Sequence, residues 1–100
     1  MSEAEVVCVL RYLVQGVTPQ RDHQGELQDE LFELLPNANA VTILPVVEGY
    51  SVEIEMLDLA PFSRTSFEPY LAEHVLPEAV AARCRPGGEV KLQLLKAHYA

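Results

Sequence analysis

The stretch Ser51–Leu59, S-V-E-I-E-M-L-D-L, decides the fold of this 100-residue chain. From Val52 to Met56 apolar and polar residues alternate, the pattern of a β-strand with one face on a core and one toward water. Upstream, Glu48-Gly49 joins this strand to the apolar run Val41–Val47. Downstream, the polar loop Ser63–Ser66 opens a helix. Turn, strand and helix start therefore lie close together in the sequence.

The chain before this strand predicts a strand, a helix and another strand. Glu5–Val14 is apolar on both alternating sets apart from one arginine, which is typical of a central strand buried on both faces, and Gly16-Val17-Thr18-Pro19 ends it. Asp22–Leu35 has leucines at helical spacing and acids on the other side, which predicts an amphipathic helix. Pro45 cannot donate a ladder hydrogen bond, so the strand Val41–Val47 belongs at an edge of the sheet.

The chain after this strand predicts a helix and a last strand. Thr65-x-x-Glu68 has capping-box spacing and marks a helix start. Pro77 interrupts the helix, giving either a kink or two short pieces. Pro86-Gly87-Gly88 predicts a turn, after which E-V-K-L-Q-L-L-K, residues 89–96, alternates as a final strand.

The order strand, helix, strand, strand, helix, strand predicts an α+β fold. Right-handed crossovers applied to this order give the ferredoxin-like split βαββαβ sandwich. In it, four antiparallel strands in the order four, one, three, two carry both helices on one face. No repeat, linker or low-complexity segment interrupts residues 1–100, so we expect a single domain.

The charge balance disfavours nucleic acid and anionic membranes as partners, although a local basic patch stays compatible with it. Fifteen acidic and seven basic side chains give a net charge of -8, which repels nucleic acid and anionic membrane surfaces. No apolar run approaches the roughly 18 residues that span a bilayer, and the acidic start at Glu3 and Glu5 is unlike a signal peptide. We expect a cytoplasmic protein, in which Cys8 and Cys84 stay reduced and pack as small apolar groups.

A candidate anion site follows from the predicted strand directions. With the first and third strands taken as parallel neighbours, the loops after them emerge at the same end of the sheet, each at a helix N-terminus. Helix N-termini, cations and hydroxyls together favour a carboxylate or phosphate ligand. The ligand-binding candidates are Arg21, His23, Arg64, Thr65 and Ser66. Alternatively, the hydroxyls only cap the helix and the arginines only pair with surface acids.

Catalytic and metal-binding patterns are weak. A nucleophile needs a base within hydrogen-bond reach, and Cys8 is far in sequence from His23. The histidines and cysteines share no metal-ligand spacing, so the prediction is no catalytic residue, no metal and no cofactor. Glu53 and Glu55 lie on one face of a strand, where they are more typical of a solvated surface than of acid–base catalysis.

The sheet face opposite the helices is a candidate interface. Contiguous apolar patches on soluble proteins usually mark an interface, so sheet-against-sheet association into a homodimer is expected. Alternatively, Glu53, Glu55, Lys91 and Gln93 keep this face wet. The predicted interface residues are Val7, Val9, Arg11, Leu13, Leu44 and Val46.

The segment Asp22–Leu27, D-H-Q-G-E-L, followed by Leu31 and Asn39, resembles the loop-and-helix pattern of ACT domains, small ferredoxin-like modules that bind amino acids and similar effectors. Val17 to Arg21 lengthens the loop relative to that pattern, and Gln24 replaces the usual proline. The resemblance implies that the loop from Arg21 to Gly25 contacts a ligand.

The leading functional expectation is a small non-enzymatic binding or regulatory module, a homodimer that interacts with a protein partner or a small anionic effector. One alternative is a small enzyme of the dimeric α+β-barrel kind, whose inward-pointing candidates are Tyr12, His74 and Cys8. Another is a structural or assembly protein of a phage or secretion particle.

Overall fold

The computed structural model describes residues 5–20, 22–84 and 86–100. It has the α+β architecture expected, with helices packed on one four-stranded sheet. In chain order the elements are β1 (Cys8–Val17), α1 (His23–Leu34), β2 (Ala38–Val46), β3 (Gly49–Met56), α2 (Arg64–Tyr70), a π-helical turn (Leu71–Val75), α3 (Leu76–Arg83) and β4 (Pro86–Tyr99).

The sheet has the order β2-β3-β1-β4, and every neighbouring pair is antiparallel. The edge position predicted for the strand containing Pro45 is confirmed, as are the central positions of β1 and β3. The predicted parallel pairing of the first and third strands is wrong, because Cys8 lies opposite Met56 and Gln15 lies opposite Gly49.

Alternate residues of the strands form the core with the helices. Along β3, Val52, Ile54 and Met56 are buried while Glu53 and Glu55 between them are partly exposed, as the alternation predicts. The helices contribute leucines and other apolar residues to the same cluster. Cys8 and Cys84 are buried there and unpaired. Burying this apolar surface is the main stabilising contribution to the fold.

The second helical region runs without a break from α2 through the π-turn into α3. Tyr70 and Val75, at the two junctions, both keep right-handed helical dihedral angles. Pro77 lacks the N–H that would bond four residues back, and a wider turn before a proline accommodates the missing bond and the ring. The interruption predicted at Pro77 therefore takes the form of a π-turn directly before α3.

Two segments that the sequence predicted as turns, at Gly16 and at 86–88, belong to strands of the sheet. Gly16, expected to end the first strand, continues it with a φ of 93°, at an irregularity in the β1–β4 pairing. An added Cβ on Gly16 would lie 2.3 Å from the Glu89 carbonyl oxygen, so only glycine permits this close approach. Val17 pairs with Pro86, which places 86–88 in β4 and makes the predicted turn there wrong.

No helix in the described part of the chain has the length and apolar character needed to cross a membrane.

Candidate functional site

The two polar loops predicted to converge lie at opposite ends of the sheet. The paired residues of β1 from Cys8 to Gln15, at about 3.4 Å per residue, separate these ends by roughly 24 Å. His23 is near one end and Arg64 near the other, so a single anion site containing both is not formed. Arg21 lies outside the described residues. An anion-binding role for either loop alone stays a prediction.

At the first loop, His23 is the first residue of α1 and is half-buried. Its Nδ1 atom is buried and has no hydrogen-bond partner among the described residues. Asp22, at the N-cap, makes no side-chain capping bond. The Tyr50 hydroxyl accepts a hydrogen bond from the Gln20 backbone N–H at 3.0 Å and so fastens the loop to β3.

At the second loop, the hydroxyl groups start α2. The Ser63 Oγ accepts the Ser66 backbone N–H at 3.3 Å, and the Ser63 N–H donates to the Ser66 Oγ at 2.9 Å, which forms a reciprocal capping box. Thr65 Oγ1 lies 3.1 Å from Ser63 Oγ. The capping alternative thus holds for Ser66, which forms the box with Ser63. The box predicted from Thr65 and Glu68 is wrong, because Thr65 already lies in the first turn of α2.

Arg64 contacts the end of β4. Its guanidinium donates to the Ala100 carbonyl oxygen at 2.7 Å and lies 5.1 Å from the centre of the Tyr99 ring. Burial, followed by the charge of Glu68, raises the pKa of Tyr99 to about 12. The arginine thus holds a neighbouring strand through a hydrogen bond and a cation–π contact.

The open face of the sheet is mixed rather than apolar. Val9 and Leu13 are half-buried, Leu44 is 56% exposed, and Arg11 donates to Glu53 at 2.8 Å across the centre of the face. Lys91, Lys96 and Gln93 face the same side, opposite Gln15, Arg11 and Leu13 on β1.

One of the predicted interface residues differs from the others. Val46 is half-buried like Val9 and Leu13, whereas Val7 packs against the core. Val7 thus has contacts with the core, and its place in an interface stays a prediction. It precedes β1, where its N–H donates to the Met56 carbonyl at 2.7 Å, and this position lets its side chain reach the core.

The three inward candidates for catalysis do not form a reactive group. The Tyr12 hydroxyl donates to the Glu68 carbonyl at 3.2 Å, and burial raises the pKa of Tyr12 to about 12. Burial also raises the pKa of the Cys8 thiol, which disfavours the nucleophilic thiolate. His74 is exposed, in the π-turn. None of these three lines either of the two cavities described below.

The residues that the structure describes contain no cluster of three or more His, Cys, Asp or Glu side chains able to hold a metal ion.

A cavity of about 270 Å³ opens at the end of the sheet where β3 leaves it. The C-terminal end of α1, the β3–α2 loop and α2 enclose it. Most of the residues that line this cavity are apolar. The lining consists of Leu34, Leu35, Pro36, Asn37, Met56, Asp58, Leu59, Ala60, Pro61, Phe62, Phe67 and Tyr70. An apolar cavity of ~150 Å³ can bind a benzene ring, so this volume suffices for a one-ring ligand with a short side chain.

Aromatic rings and one carboxylate give this cavity its chemistry. The ring centres of Phe62 and Tyr70 are 4.2 Å apart, and those of Phe62 and Phe67 are 6.1 Å apart. Asp58 is exposed at the rim, and its Oδ1 accepts the Ala60 backbone N–H at 2.9 Å. The lining contains a negative charge and no positive one. Such a site favours a neutral or cationic apolar ligand over an anionic one.

The cavity escaped the sequence analysis because its lining is largely apolar and comes from distant segments. The available signal is the composition of the β3–α2 connection. From Leu57 to Phe62, L-D-L-A-P-F, this loop has a single polar residue, whereas loops normally expose polar side chains to water.

A shallow groove of about 270 Å³ runs along the outer edge of β2. The Gln28 side-chain amide donates to the Val41 carbonyl at 2.6 Å, and that of Gln24 donates to the Ile43 carbonyl. Four helical residues rise about 6.0 Å and two strand residues about 6.8 Å, so the two glutamines match alternate carbonyls. Pro45, two residues on, has no N–H to offer. This edge is thus blocked by its own chain.

No protein-family model matches this sequence, and no curated protein matches it significantly.

Proposed function

We propose that this chain is a non-enzymatic binding module, a single ferredoxin-like split βαββαβ domain whose ligand occupies the cavity at the end of β3. The sheet order β2-β3-β1-β4 supports the ferredoxin-like assignment. The observation that carries the binding proposal is the aromatic-lined cavity of about 270 Å³ with one carboxylate at its rim. A largely apolar pocket with a few polar groups is the usual form of a small-molecule site. A cytoplasmic location is part of this proposal, because the buried thiols Cys8 and Cys84 are unpaired.

The proposed ligand is a small apolar molecule with an amine. Its apolar part packs against Phe62 and Tyr70, and its ammonium group lies near the Asp58 carboxylate. A carboxylate ligand would meet the like charge of Asp58 and would lose its hydration without a compensating partner. The cavity chemistry thus favours the opposite charge from the anionic effector expected at Arg21, His23 and Arg64. That anion-binding prediction concerns other surfaces and needs its own measurement.

Thermal unfolding with three ligands of similar shape tests the proposal. We expect 2-phenylethylamine to raise the melting temperature most, 2-phenylethanol to raise it less, and 3-phenylpropionate to leave it unchanged. A ligand at a hundred times its Kd adds about 2.7 kcal/mol to the free energy of unfolding. Equal shifts for all three compounds, or none for any, would contradict the proposed site.

Two variants test whether the rise in melting temperature comes from binding in this cavity. Asp58→Asn keeps an oxygen for the Ala60 N–H but removes the charge, so it should diminish the shift given by the amine and preserve that given by the alcohol. Leu34→Trp places a large ring at the cavity wall and should abolish both shifts. Leu44→Trp, on the exposed open face, is the matched control and should leave both shifts as in the wild type.

A second candidate function is association with a protein partner or a second copy through the open sheet face. The exposure of Leu44, in line with Leu13 on the same face, favours it. The Arg11–Glu53 ion pair at the centre opposes it, because covering this pair would remove two charges from water. Leu44→Glu should then weaken association without changing thermal stability.

A further inference from the structure

The two edges of the sheet differ, and the difference points to a role for β4. The edge of β2 is occupied by Gln24 and Gln28 and interrupted by Pro45. β4 forms the other edge over Pro86–Tyr99. In the described part of the chain, no side chain bonds the backbone of 89–98 as the glutamines bond β2. A long strand with free backbone groups is a template for another strand.

The side chains of β4 also differ from the rest of this acidic surface. Leu94 and Leu95 are 40% and 48% exposed. Lys91 and Lys96 are the only lysines of a chain with net charge -8, and both lie on this strand. The two lysines give this edge positive charge that an acidic side chain of a second copy can meet.

The outward-facing backbone groups of β4 can be identified. The Glu89 carbonyl oxygen lies so close to Gly16 that it faces β1. Because backbone groups alternate along a strand, the N–H and carbonyl groups of Val90, Leu92 and Leu94 face away from β1. Among residues 5–20, 22–84 and 86–100, these backbone groups have no hydrogen-bond partner, so they form an open edge at the side of the sheet.

We propose that β4 pairs with β4 of a second copy, antiparallel and centred on Val90, to form a continuous eight-stranded sheet. The two-fold axis is perpendicular to the sheet, so the helices of both copies lie on the same side. In this register Glu89 of one copy lies opposite Lys91 of the other, and the symmetry repeats the pair. A register centred on Leu92, the next outward-facing residue, would instead place Lys91 opposite Gln93 and would form no pair of opposite charges.

This association goes beyond the proposed ligand site, because the cavity and the outer edge of β4 share no residue. It also differs from the open-face dimer, since here main-chain hydrogen bonds join the copies and the open face stays in water. One copy can bind a ligand whether or not the edges pair, so the two proposals fail independently.

Charge reversal tests the pairing on exposed residues that the fold does not need. In analytical ultracentrifugation at about 100 µM the wild type should be a dimer. Lys91→Glu opposes acids at two symmetry-related places and should raise the dimer Kd roughly tenfold or more. The double variant Glu89→Lys, Lys91→Glu exchanges the charges and should restore the wild-type Kd. Circular dichroism of all three proteins should be the same.

A backbone variant provides a second measurement. Leu92→Pro removes an N–H that faces outward, whereas Leu92→Ala loses the same side chain and keeps that N–H. Only the proline variant should be monomeric at 100 µM while remaining folded. A monomeric wild type would overturn the proposal. So would a dimer that is insensitive to Lys91→Glu and is lost in Leu44→Glu, a result that would place the interface on the open face.

Discussion

Raising the pH should destabilise this protein through Tyr12. The side chain is 2% exposed, and burial, followed by the charge of Glu68, raises the pKa of its hydroxyl from 10.0 to about 12. Between these values the unfolded chain releases the proton while the folded protein keeps it. The unfolded state then binds fewer protons, so the free energy of unfolding falls as the pH rises.

The size of this loss in the free energy of unfolding follows from the rise in the pKa of Tyr12. Each pKa unit corresponds to about 1.36 kcal/mol. At about pH 11, one unit above the unfolded pKa, the loss from Tyr12 is about 1.4 kcal/mol, on an order-of-magnitude scale. The pKa of Tyr99 is also raised to about 12, but its half-buried ring is screened by solvent and should contribute less.

Urea unfolding between about pH 8 and pH 11 measures the effect. Tyr12→Phe loses the hydrogen bond to the Glu68 carbonyl and should be less stable by about 1 kcal/mol at the lower pH. Its stability should then fall less steeply, so that the difference from the wild type changes by about 1.4 kcal/mol over this range. Tyr99→Phe serves as the comparison with a smaller change. Parallel decline of the wild type and Tyr12→Phe would show that the buried hydroxyl is not the group responsible.

Two glycine substitutions should have opposite effects on the free energy of unfolding. An added Cβ on Gly49 would lie 1.7 Å from the Val14 carbonyl oxygen in the β1–β3 pairing, so Gly49→Ala should cost about 3 kcal/mol or more, measured by urea unfolding. Gly25, in α1, has no atom within 4 Å of such a Cβ, so Gly25→Ala should raise stability by roughly 0.5–1 kcal/mol. A stable Gly49→Ala variant would mean that β1 and β3 are further apart at this position than the structure places them.

The sequence predicted which strands are central and which face of β3 is buried, but the burial predicted for both faces of β1 is wrong, because Arg11 is exposed and Val9 and Leu13 are only half-buried. The alternation from Val52 to Met56 indicates a half-buried strand, and Pro45 indicates an edge, because both are local consequences of side-chain and backbone chemistry. The direction of a strand cannot be predicted in this way, because the alternation of apolar and polar residues is the same in both directions. A helical crossover makes the strands that it joins parallel, and the hairpin at Glu48-Gly49 then reverses the third strand relative to the first. Assigning the first and third strands as parallel therefore brought together two loops that lie at opposite ends.

The cavity and the ends of β4 were harder to predict for another reason. Sequence searches for sites follow polar and charged residues, whereas this cavity is built mainly of apolar ones. The glycines at 87 and 88 indicate a turn by composition, yet the approach of β4 to Gly16 brings the segment into the sheet. Such close backbone contact depends on tertiary pairing and has no local signature beyond the glycines themselves.

The glutamines on α1 show how many carbonyl groups of an edge strand can accept hydrogen bonds from one neighbouring helix. A helix advances about 0.8 Å less over four residues than a strand does over two. The distance along the strand between each glutamine amide and its carbonyl therefore grows by this amount at every step. Two successive contacts fit within hydrogen-bond tolerance, but a third would be displaced by about 1.6 Å. The next helix position is Phe32, which cannot donate. The next alternate residue of the strand, Asn39, already lies within β2, so side chains of α1 can cover only part of this edge however long the strand is.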